Sequence, residues 1–101
     1  MKEPRIYVDF NEMVEEDLVL LSKNDTELDS AGNLVHLSEN MFIKIYMDDV
    51  DEANKIDNLL AEGIVERNTI NEGWGTIAKW NCRINHKGIY HESDHNNDAN
   101  K

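Results

Sequence analysis

Asp49-Val50-Asp51-Glu52-Ala53-Asn54-Lys55-Ile56-Asp57-Asn58-Leu59-Leu60-Ala61-Glu62-Gly63 is the stretch on which the fold class turns. Read as a helix near 50–62, it has Asp49 and Glu52 as a capping box and Gly63 as its C-terminal stop, and the chain becomes α+β. Read as an acidic hairpin loop, it leads into a strand over about 56–68 that a bulge at Gly63 interrupts, and the chain becomes mainly β. The apolar positions Val50, Ala53, Ile56 and Leu60 satisfy both spacings. The flanks favour the hairpin. Ile64-Val65-Glu66-Arg67 on one side is strand-like, and a two-strand meander accounts for the whole run.

The other flank is the clearest strand of the chain. In Met41-Phe42-Ile43-Lys44-Ile45-Tyr46-Met47-Asp48, the residues Met41, Ile43, Ile45 and Met47 fall on one face and Phe42, Lys44, Tyr46 and Asp48 on the other. Such alternation of β-branched and aromatic residues marks a half-buried central strand. Ile6, Val8 and Phe10 alternate in the same way. Leu18-Val19-Leu20-Leu21 is a continuous apolar run suited to a strand buried on both faces, although Met13, Val14, Leu18 and Leu21 also approach helical spacing. Residues 23–33 are dense in turn formers and read as a long loop, after which 34–37 starts a short strand. Further on, 68–76 reads as a loop around Gly73-Trp74-Gly75. Ala78, Trp80, Cys82 and Ile84 form the inward set of a last long strand. A turn over 85–88 is expected to reverse the chain into Ile89-Tyr90-His91, with Gly88 supplying positive φ. About five to six short antiparallel strands then predict a small SH3-like, partly open barrel over 1–91, with 92–101 as a disordered polar tail.

Composition narrows the function classes. A chain of 101 residues holds one core and has no room for separate cofactor and substrate domains. Its net charge is −11, and it is unevenly placed along the sequence: residues 1–66 carry 17 acids against 5 bases, whereas the remainder carries 4 against 5. This balance argues against direct binding to nucleic-acid phosphates or to anionic membranes, which require Lys/Arg clusters. No apolar stretch has the length of a signal peptide or a bilayer helix. One cysteine, Cys82, forms no internal disulfide, so the cytoplasm is the expected location.

Four constellations of residues bear on chemistry. Cys82, His86, His91 and His95 are zinc-type ligands, but C-x3-H-x4-H-x3-H matches no established finger spacing and Cys82 falls in the inward register, so a buried thiol with solvated histidines is the plainer reading. The acidic run Asp48, Asp49, Asp51, Glu52 and Asp57 fails the calcium-loop pattern, with Ala53, Asn54 and Leu60 where an oxygen ligand, Gly and Glu are required. No nucleophile motif, phosphate loop or metalloprotease motif occurs, and His36 between Val35 and Leu37 reads as structural. The fourth is aromatic. Trp74 between glycines in a loop, with Arg67, Lys79, Arg83 and Lys87 in the same third of the chain, has the composition of a binding hot spot. Folding of Trp74 back onto an open barrel end is the alternative.

The sequence therefore favours a noncatalytic module that binds a protein or peptide through Trp74, Lys79, Arg83, Arg67 and Lys87, with no cofactor or metal, as a monomer or weak homodimer. An acidic decoy that imitates nucleic-acid phosphates and occupies a basic protein site is the second hypothesis. A small enzyme of unassigned reaction is the third.

Overall fold

The computed structural model describes residues 1–94, and the chain is mainly β. Its strands are β1 (Ile6–Tyr7), β2 (Met13–Glu15), β3 (Leu18–Ser22), β4 (Thr26–Leu28), β5 (Leu34–His36), β6 (Phe42–Met47), β7 (Leu59–Arg67), β8 (Trp80–Ile84) and β9 (Tyr90–His91). The principal sheet has the order β1-β6-β7-β8-β3-β2 and curls into a half-barrel, a small partly open barrel. Alternation sets its two faces. Val19 and Leu21 of β3, Ile43 and Ile45 of β6, Ala61 and Val65 of β7, and Trp80, Cys82 and Ile84 of β8 line the inner face with Ile6 and Val8. The apolar run of β3 is buried along its whole length, because Leu18 and Leu20 on its outer face are covered as well.

The deciding stretch is a hairpin, not a helix. Asp51 Oδ1 accepts N–H bonds from Ala53 and Lys55, Asn54 takes a left-handed φ of 62°, and an isolated bridge joins Val50 to Ile56. This side-chain turn competes with helix initiation at the same residues that a capping box would use. The strand begins at Leu59 and carries no bulge at Gly63, since its pairing with β6 and with β8 runs through that residue without a register shift. Gly63 serves a close approach instead. A Cβ there would sit 2.8 Å from Cys82 Sγ and closer still to the Arg83 carbonyl oxygen.

Three further details differ from the sequence reading. β1 pairs with β6 in parallel, Ile6 opposite Ile45, so the sheet is mixed rather than wholly antiparallel. The expected loop over 23–33 contains β4, which forms a separate hairpin with β5; its turn is closed by Asp29 Oδ1, which accepts from Ala31 and Asn33. The turn over 85–88 does not reverse the chain. β8 and β9 both run antiparallel to β7 along the same edge, with Ile84 opposite Gly63 and Tyr90 opposite Leu60, so the intervening residues form an outward excursion. Gly88 does have positive φ, and its N–H donates to Asn85 O across the excursion. Glu92 to Asp94 make a helical turn, with Ser93 donating both N–H and O–H to the Asp57 carboxylate. The remainder of the expected tail, 95–101, lies outside the described residues.

Candidate functional site

Where β7 ends, one side chain organises the loop that follows. Asn68 Nδ2 donates to Gly75 O and to Ala78 O, both at 2.7 Å, and Asn68 Oδ1 accepts from Ile70 N–H and Asn81 Nδ2. The loop is thereby closed on itself and onto β8. Gly73, with φ 76°, opens a short 3-10 helix, Trp74–Ile77, in which Thr76 donates to Gly73 O through both N–H and Oγ1. Gly75 turns inward, where an added Cβ would crowd Ile70 and Val14 at 3.1 and 3.2 Å. Burying Gly75 turns its neighbours outward. Trp74 is 54% exposed and Ile77 50% exposed. Residues three apart eclipse on a 3-10 helix, so the two side chains form one apolar projection. Trp74 does not fold back to cap the barrel; Trp80 is the buried tryptophan, and its Nε1 donates to Asp25 Oδ1 at 3.0 Å.

The cations singled out from the sequence are not gathered around Trp74. Arg67 lies over the Trp80 ring, 5.0 Å from its centroid, and Lys79 lies over the same ring at 5.9 Å while pairing with Asp25 at 2.7 Å. The Lys79 hydrogen bond, followed by that of Trp80, holds the Asp25 carboxyl below its ordinary range. These two cations share the end of the sheet where the Trp74 loop sits, but both are engaged. Arg83 stands on the outer face of β8, where its guanidinium binds Glu66 through two nitrogens at 3.0 and 3.1 Å, Asp17 at 2.7 Å and Glu15 at 3.2 Å. Bonds to Glu66, then Asp17, then Glu15 tighten its hold on its proton. Arg83 is thus a clamp tying β8 to β7 and to the β2–β3 turn. Lys87 lies in the excursion between β8 and β9, beside a cavity at the opposite end of β7.

The zinc-type residues are also dispersed. Cys82 is fully buried on the inner face, and burial, aided by the nearby Glu66 charge, pushes its thiol up to about 12. His91 approaches Asp49 at 3.3 Å, and His95 lies outside the described residues. Among the described residues, no three or more His, Cys, Asp or Glu side chains are grouped to hold a metal ion. Sequence reasoning missed Ile77, whose helical offset from Trp74 was hidden by the loop assignment, and Asn68, whose importance lies in contacts up to thirteen residues away. No protein-family model, no curated protein and no solved structure matches this chain.

Proposed function

We propose that this chain is a noncatalytic protein- or peptide-binding module whose anchor is the Trp74–Ile77 projection. The observation that carries this reading is an exposed tryptophan on a loop already held by the four hydrogen bonds of Asn68. A pre-ordered loop loses little conformational entropy on binding, and a large aromatic in a partner's pocket is the commonest kind of interface hot spot. Lys79 and Arg67, engaged over the Trp80 ring at the same end of the sheet, are secondary to this anchor, and Arg83 and Lys87 drop out of it. Its setting on this reading is the cytoplasm, where a lone thiol is tolerated.

The test is affinity capture with the wild type and Trp74→Ala at low and high salt, read by mass spectrometry. A partner held at high salt by the wild type and lost by the variant is the expected result, because apolar anchoring is insensitive to screening. A basic partner released by salt from both proteins would overturn the aromatic anchor and favour recognition of the acidic surface.

A further inference from the structure

At the far end of β7, residues 1–5 fold across the outer face of β6 and β7 and meet the β8–β9 excursion, lining a half-open cavity of about 580 Å³. That volume is within the range of roughly 300–1,000 Å³ typical of small-ligand sites. Its floor is a buried charge network. Arg5 is 6% exposed, and its Nη1 donates to Ile45 O at 3.2 Å, Ala61 O at 3.1 Å and Glu62 Oε2 at 2.8 Å. Tyr90 O–H donates to the same carboxylate oxygen at 2.6 Å. The network satisfies itself. Burial opposes the charge on Glu62, but the bonds from Tyr90 and Arg5 prevail and hold its carboxyl below the ordinary range.

The walls are different. Phe42, half-exposed on β6 opposite Ile64, gives the cavity an apolar edge, while Leu60 at its other end is buried. Lys44 pairs with Glu3, as Arg5 does with Glu62. Lys2 and Lys87 line the same cavity with no ion pair among the described residues, while the third carboxylate, Glu92, is held by the Met1 amine. In a chain of net charge −11, this concavity has more cationic side chains than carboxylates facing it. An apolar edge beside two ammonium groups that form no ion pair among the described residues, one of them, Lys87, acting at longer range on Glu62, is complementary to an anion that carries a hydrophobic body.

We propose that this cavity binds a small organic anion, its apolar body against Phe42 and its carboxylate or phosphate taken by Lys87 and Lys2. The site is independent of the Trp74 surface. Its Leu60 end lies seven residues along β7 from Arg67, roughly 23 Å at about 3.3 Å per residue, and its Phe42 end, opposite Ile64, lies three residues from Arg67.

Octanoate and phenyl phosphate, titrated separately into the full-length ¹⁵N-labelled protein and followed by amide NMR, test the proposal. Saturable shifts centred on Phe42, Asn85, Lys87 and Tyr90 are expected with at least one of the two, and the stronger one identifies the head group. Octylamine, with the same tail and opposite charge, should not saturate. Lys87→Gln should weaken binding about three- to fivefold, the loss of one partly solvated charge contact. Lys55→Gln, in the distant β6–β7 hairpin loop, should leave it unchanged. The proposal is overturned if neither anion saturates at the cavity, if octylamine binds as well as octanoate, or if Lys87→Gln retains its native spectrum and wild-type affinity.

Discussion

Glu62 shows how one residue's environment reverses its expected role. On the sequence it is one acid among many, yet its carboxylate is the buried counter-ion of Arg5 and accepts the Tyr90 hydroxyl proton. Nothing in the alternation of β7 distinguishes it from Glu66, because the signal lies in a partner 57 positions away. Its folded pKa is lowered from 4.5, so its contribution to stability is complete above that value and is lost as pH falls through the folded pKa. Thermal melts between about pH 6 and pH 3 should therefore show a steep acid limb that flattens in Glu62→Gln. That variant should also lose about 3 kcal/mol at neutral pH, because it leaves a buried guanidinium without its charge partner. Cys82 has the opposite sign. Its thiol, raised to about 12, should resist a thiol-specific reagent at pH 8 in the native protein and react promptly in denaturant. Its stabilising contribution is complete below the ordinary thiol pKa and fades as pH rises toward the folded value. Here the sequence was informative, since strict alternation in β8 already placed Cys82 inward.

Among the elements, β6 and β8 were readable because alternation marks a half-buried strand, whereas the continuous apolar run of β3 is compatible with helical spacing as well. What stayed hidden was pairing. The parallel contact of β1 with β6 and the collinear placement of β8 and β9 on β7 follow from tertiary packing that no local pattern encodes. The Asn85-His86-Lys87-Gly88 segment has every feature of a hairpin turn, and its turn does form, but the chain resumes along the same edge because that stretch of β7 is still unpaired. Gly63 was misread for a related reason. A glycine in a strand signals either a bulge or a close backbone approach, and the sequence cannot choose between them. Gly63→Ala should destabilise the fold by about 3 kcal/mol, the upper range of overpacking costs, because the obstruction is the β8 backbone, which cannot swing aside as a side chain would. Denaturant unfolding measures this directly; a loss under about 1 kcal/mol would mean that β7 and β8 separate more easily than their register implies. The candidate site was partly legible: Trp74 was visible as an aromatic between glycines, whereas the device that fixes its loop, Asn68, was not.

At the scale of the molecule, the uneven charge along the chain does not become two poles in space. Arg83 from the near-neutral third reaches Glu15, Asp17 and Glu66, and Lys79 reaches Asp25, so these two late cations are spent on early carboxylates. These pairs are solvated to differing degrees, and screening leaves each of them a small contribution to stability. They offset only a minority of the acids: 21 Asp and Glu stand against 10 Lys and Arg. Two electrostatic effects therefore compete when salt is added. Screening weakens the pairs, and it also relieves the repulsion among unpaired carboxylates, whose number is larger and whose separations are comparable with the Debye length at low ionic strength. Repulsion should win. Raising sodium chloride from about 20 to about 300 mM is expected to increase Tm by several degrees, a shift equivalent to roughly 1 kcal/mol for a domain this size. A Tm that fell instead would mean that the Arg83 clamp and its neighbours outweigh the excess charge. The measurement also bears on binding, because a surface whose acids repel one another measurably is one that a basic partner would relieve, whereas the Trp74 projection gains nothing from that relief.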